Sequence, residues 1–152
     1  MRRLALLLVA VLALAACGGS NKGAVSTLVG STTIFNPAAE KAQITTAYQK
    51  FFSGKTSLSD RVALLQNGPK FKSVVQGFAS NPLAKNVTAS VSSVALQGRN
   101  RAKVVYQVKL AGASLPKQTG TAIRENGTWK VGDASLCKLI ALQGSTPSAC
   151  KS

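Results

Sequence analysis

Three cysteines, Cys17, Cys137 and Cys150, and four carboxylates, Glu40, Asp60, Glu125 and Asp133, are the side chains best placed to do chemistry in this 152-residue chain, which has no histidine. General acid and base catalysis needs a His, or a carboxylate held in an apolar pocket with a shifted pKa. None of the four acids sits in such a context. Glu40 and Asp133 fall where helix starts favour negative charge, Asp60 falls in the first turn of a second helix, and Glu125 precedes a turn. Ser135 and Lys138 are spaced three apart on the last helix and read as a helix-surface pair, since a serine nucleophile has no histidine base here. Two cysteines without a histidine are too few to hold a metal. The expectation is a protein that is not an enzyme and carries no catalytic residue, metal or cofactor.

Cys17 has a different use. Arg2 and Arg3 begin the chain, "LALLLVAVLALAA" follows without a polar residue, and Cys17 comes directly after, with Gly18-Gly19 next. A positive start, an apolar run and small residues at its end form an export signal. The run is shorter than the roughly 20 residues a membrane-spanning helix needs, so no spanning helix is expected in the mature protein. Leu14-Ala15-Ala16-Cys17 resembles the lipobox of bacterial lipoproteins. In that family the matching cysteine becomes the new N-terminus and carries a thioether-linked diacylglycerol, usually with an amide-linked third chain such as palmitate. The resemblance implies residues 1–16 as a signal peptide, Cys17 as the lipidation site and a place on the extracytoplasmic face of the bacterial cell membrane. Each buried methylene contributes about 0.8 kcal/mol, and two or more chains hold where one would not.

Loss of residues 1–16 removes Arg2 and Arg3, leaving 17 of 19 basic side chains against four acids, a net charge of +13. The basic residues are spread along the whole chain. Nucleic acid is disfavoured as a partner of an exported protein with neither zinc-finger spacing nor the aromatic signature of sheet-type RNA binders. A solvated surface, or attraction to anionic lipid or an anionic envelope polymer, remains. With Cys17 lipidated, Cys137 and Cys150 are an even pair in an oxidising compartment, which predicts a disulfide. Closing that loop constrains the unfolded chain by roughly 3 kcal/mol.

The elements that must position these residues are legible in the pattern. Residues 17–34, the lipidated terminus and "GGSNKGAVSTLVGST", form a small polar tether with a reach of roughly 20 Å. A single domain over 35–152 follows. Asn36 caps a helix with Pro37 in its first turn, and Ile44, Ala47, Tyr48, Phe51 and Phe52 recur at helical spacing. Gly54 breaks the pattern, Leu58, Val62 and Leu65 mark a short second helix, and Gly68-Pro69 opens a third carrying Phe71, Val74, Val75 and Phe78. After Pro82 the period becomes two. "VTASVSSVAL", "RAKVVYQVKLAG", "KQTGTAIRE" and "TWKV" are strands, the last two joined by Asn126-Gly127, the strongest hairpin signal. Gly132-Asp133 then starts a helix bearing Leu136, Leu139 and Ile140. Helices, a four-stranded meander and a short C-terminal helix make an α+β domain with helices packed on a curved antiparallel sheet.

This order of elements, with Trp129-Lys130-Val131 in the last strand and "DASLCKLI" directly after it, resembles exported actinobacterial proteins related to the mycobacterial low-molecular-weight secreted antigen. The likeness covers about residues 35–142 and implies a cone-shaped domain similar to nuclear transport factor 2 and cystatin-like folds. It brings no catalytic residue with it. The lipobox and the Cys137/Cys150 pair are departures from that antigen. Two functions fit: a membrane-anchored accessory module that holds a small apolar ligand or docks an envelope protein, or a basic protein that binds anionic lipid or polymer by charge.

Overall fold

The computed structural model describes residues 35–142 and 144–151. Leu14, Ala15, Ala16 and Cys17, with the rest of the leader and the tether, lie outside the described residues. Ile34–Ser152 forms a compact unit of its own.

The first helix, α1 (Pro37–Phe52), starts where Asn36 turns extended and its Oδ1 accepts from the backbone N–H of Ala38 and Ala39, at 3.0 and 3.3 Å. These bonds satisfy donors that a helix start leaves open. Its buried stripe is Glu40, Ile44, Ala47, Tyr48 and Phe51. α2 (Leu58–Ala63) begins at Ser57, whose Oγ accepts from Asp60 N and donates to Asp60 Oδ2. Leu65 does not extend the apolar face of α2 as its spacing predicts. The helix ends at Ala63, and Leu65, fully buried, forms a parallel bridge to Val131. Gln66 N donates to Val131 O and Val131 N to Leu64 O, both at 2.8 Å. An open strand edge offers unpaired backbone groups, and this segment closes it. A 3-10 turn at Gly68–Phe71 leads into α3 (Lys72–Ala79), and another at Pro82–Asn86 leads into the sheet.

The strands are β1 (Val87–Leu96), β2 (Arg101–Leu110), β3 (Ala113–Ser114), β4 (Gln118–Glu125) and β5 (Thr128–Val131). All pairings among them are antiparallel, in the order β1-β2-β4-β5, with two-residue β3 beside the end of β2. The expected four-stranded meander is present. β3 is an addition made by a tight turn at Ala111-Gly112, both with positive φ. In β2, Ala102, Val104, Tyr106 and Val108 face the core. β1 keeps its apolar side inward through a bulge between Val91 and Ser93, where the ladder slips and Ser92 Oγ donates to Val105 O. Without it, Val94 and Leu96 would face solvent. Asn126 and Gly127 both take positive φ, the geometry of the favoured two-residue hairpin turn.

α4 (Asp133–Ala141) follows Gly132 and packs on β4. Cys137 and Cys150 are joined, with Cα atoms 5.6 Å apart, so the tail is tied back to α4. Trp129, Tyr48, Tyr106, Phe71, Ile44 and Leu65 are the largest fully buried side chains. At about 1.5–3 kcal/mol for each large apolar side chain, this burial between helices and sheet is the main term holding the layers together.

Candidate functional site

The four carboxylates are all engaged. Asp60 bonds Ser57, Glu125 pairs with Lys130 at 3.0 Å near the surface, and Asp133 accepts from Asn67 Nδ2 at 2.8 Å. Glu40 does more than favour a helix start. It is 4% exposed, takes Arg124 Nη1 on Oε1 at 3.0 Å and Trp129 Nε1–H on Oε2, and so ties α1 to the β4–β5 hairpin. The Arg124 guanidinium also lies 5.7 Å from the Trp129 ring centroid and donates from Nε to Gly127 O. The signal was present in the spacing, because Glu40 precedes Ile44 by four and Tyr48 by eight on the inward stripe.

Ser135 is not a surface partner of Lys138. It is 2% exposed, whereas Lys138 is exposed. α4 crosses β4 at Gly120-Thr121, and that crossing turns Ser135 inward. Thr121 N donates to Ser135 Oγ at 2.8 Å, Tyr48 Oη donates to Thr121 O at 2.7 Å, and Tyr48 Oη and Ser135 Oγ stand 3.3 Å apart. Gly120 leaves the room: a Cβ there would fall 2.6 Å from Tyr48 Oη and 2.7 Å from Ser135 Oγ. Burial pushes the Tyr48 phenol up to about 12, opposed by the Ser135 hydrogen bond. Burial, with Tyr48 as neighbour, also raises Tyr106. This network is satisfied internally.

A cavity of about 160 Å³ lies where the four helices meet the ends of β1 and β2. Phe51 and Phe52 line it from α1, Val75 and Phe78 from α3, and Leu136 and Leu139 from α4. Val87, Val108 and Leu110 close it from the strands. Phe51 and Phe52 meet edge to face with centroids 4.9 Å apart, and Phe52 stacks on Tyr106 at 5.2 Å. The loop after α1 reaches this rim through Gly54, whose N–H bonds Val87 O; a Cβ there would fall 2.3 Å from the carbonyls of Ala84 and Lys85. Phe51, Phe52 and Phe78 thus wall a cavity, while Tyr48, Tyr106 and Trp129 fill the core.

Among the described lining residues Arg61, on α2, is the one ionisable side chain. It is 8% exposed. Its Nη2 donates to Ser53 O at 2.8 Å and Thr56 O at 3.4 Å, but its buried Nε has no hydrogen-bond partner. Desolvation without a carboxylate partner lowers its pKa from the ordinary arginine value. Arg61 lies three after Leu58, on the inward side of α2, a position that charge-based reasoning assigns to solvent.

A second, polar cleft of about 560 Å³ is lined by Lys70, Arg101, Lys103 and Lys138, with Asp133 as its acid and the Cys137–Cys150 disulfide in its wall. The topology therefore gathers four of the scattered cations. Among the described residues there is no group of three or more His, Cys, Asp or Glu side chains able to hold a metal, and no helix long and apolar enough to cross a membrane.

No curated protein matches the sequence. A family model does, over residues 37–147, from the first residue of α1 into the disulfide-tied tail, and the chain belongs to that family: low molecular weight antigen MTB12, C-terminal domain.

Proposed function

We propose that this protein is an exported lipoprotein anchored through Cys17, whose domain is a non-catalytic binding module of the cell envelope. The observation that carries the reading is the apolar cavity walled by Phe51, Phe52, Phe78 and Leu139, a concave site with two polar side chains, Arg61 and Asn81, in a mostly apolar lining, as small-molecule sites usually have. The engagement of all four acids in internal contacts supports a role without acid–base chemistry. The lipobox pattern, the paired Cys137 and Cys150, and membership of an antigen family support a place outside the cytoplasm. Mass spectrometry of the protein extracted from its own envelope tests both halves. The denatured mass should equal residues 17–152 plus acyl groups, and Cys17→Ser should abolish the addition. The native mass should exceed the denatured one by a bound apolar molecule; bare polypeptide would sink the carrier reading.

The basic cleft favours a second reading, contact with anionic lipid or polymer. An acyl anchor would hold Lys70, Arg101, Lys103 and Lys138 within a few Debye lengths of such charges. Binding of the unlipidated domain to anionic vesicles, lost as salt rises, would support it; salt-insensitive or absent binding would remove it.

A further inference from the structure

Arg61 is out of place in an apolar wall. A buried guanidinium without a counter-charge is costly, and an unpaired buried donor adds to that cost. The two backbone carbonyls it reaches, Ser53 O and Thr56 O, both engage Nη2 and supply no negative charge. Its neighbour Asp60 is turned to Ser57 at the helix start. Nε–H is left without a partner, in a side chain that lines the cavity.

We propose that the cavity binds a monoanionic amphiphile, a carboxylate with an apolar body, with the carboxylate paired to the Arg61 guanidinium and the body lying among Phe51, Phe52 and Phe78. The proposal rests on the cavity being a ligand site. One cation matches one negative charge, which favours a carboxylate over a phosphate dianion. A dry cavity of about this size accepts a body like benzene, and the cavity opens to solvent, so a longer chain can lead outward. The carboxylate removes the mismatch between a charged side chain and an apolar wall, and Arg61 selects the head where the phenylalanines cannot. Charge-assisted hydrogen bonds are roughly twice as strong as neutral ones, so the head group should matter.

The test uses residues 34–152, the compact unit with its own core, and compares decanoate with decan-1-ol by calorimetry. Decanoate should bind about tenfold tighter or more. Arg61→Gln should level the two, and Leu139→Trp, which fills the cavity, should abolish both. In the wild-type protein the Arg61 Nε–H resonance should shift on adding decanoate and stay put with the alcohol; this needs no variant to fold. Equal affinities, a preference that survives Arg61→Gln, or an unmoved Nε–H would overturn the head-group assignment while leaving the cavity as an apolar site. If neither compound binds, the cavity reading itself fails and this one with it.

Discussion

Arg124 and Arg61 both reach beneath the helices, and the domain treats them in opposite ways. Arg124 meets a carboxylate, an aromatic face and a carbonyl: Glu40 Oε1 at 3.0 Å, the Trp129 ring, and Gly127 O. Arg61 meets two carbonyls and no acid, with Nε unanswered. The first end of the domain is closed by complementary charge. The second carries an unmet charge beside a void. The difference teaches that, in a chain this basic, the positions of four acids decide which inward-reaching cations find a counter-charge and which do not.

The contrast can be broken most directly at Glu40. Glu40→Ala leaves Arg124 without its carboxylate and Trp129 Nε1–H without its acceptor, and should cost about 3 kcal/mol in urea unfolding, the lower end for a broken buried pair because Arg124 is 21% exposed. A loss below about 1 kcal/mol would show that the closed end does not depend on charge pairing.

The internally satisfied network should show itself at high pH. Tyr48 ionises near 10 when unfolded and near 12 in the fold, so its contribution is complete below pH 10 and is lost as pH rises through 12. The loss from this phenol should reach about 2–3 kcal/mol, read as a falling urea midpoint that becomes shallower in Tyr48→Phe, the remaining slope belonging to the buried phenol of Tyr106, which is raised as well. A midpoint flat through that window in the wild-type protein would contradict the burial of the phenol.

Arg61→Met should change stability by no more than about 1 kcal/mol, of either sign, since the charge removed was uncompensated and the carbonyls released lie near the surface. A loss as large as that of Glu40→Ala would make Arg61 a structural brace and erase the comparison. Ala111→Gly, a backbone change that touches no hydrogen bond of either arginine side chain, calibrates the scale. Ala111 sits at φ 48 in the turn before β3, and glycine there should raise stability by about 0.5–1 kcal/mol. A decrease would show that the turn is held by contacts outside its own backbone.

Much of the fold follows from local pattern. Asn36-Pro37 and the stripe through Phe51 specify α1, and Asn126-Gly127 specifies the last hairpin, because caps and two-residue turns are satisfied by residues a few positions apart. The failures share a cause at longer range. Leu65 continues a helical spacing, yet it leaves the helix for the open edge of β5, sixty-odd residues away in sequence. Ser135 looks like a surface residue until β4 is laid under it. The "SS" in β1 reads as broken alternation until the ladder with β2 reveals a bulge.

The sequence by itself determined the helices-then-sheet order, the hairpins, the pairing of Cys137 with Cys150, the excess of positive charge and the scarcity of acids. Each is a property of composition or of neighbours along the chain. Only the tertiary structure decided that Glu40 reaches Arg124 and Trp129, that Ser135 and Tyr48 share Thr121, that four scattered cations line one cleft, and that Arg61 stands alone beside a cavity. Burial and charge pairing are relations between elements distant in sequence, and they come into being only when the helices close over the sheet.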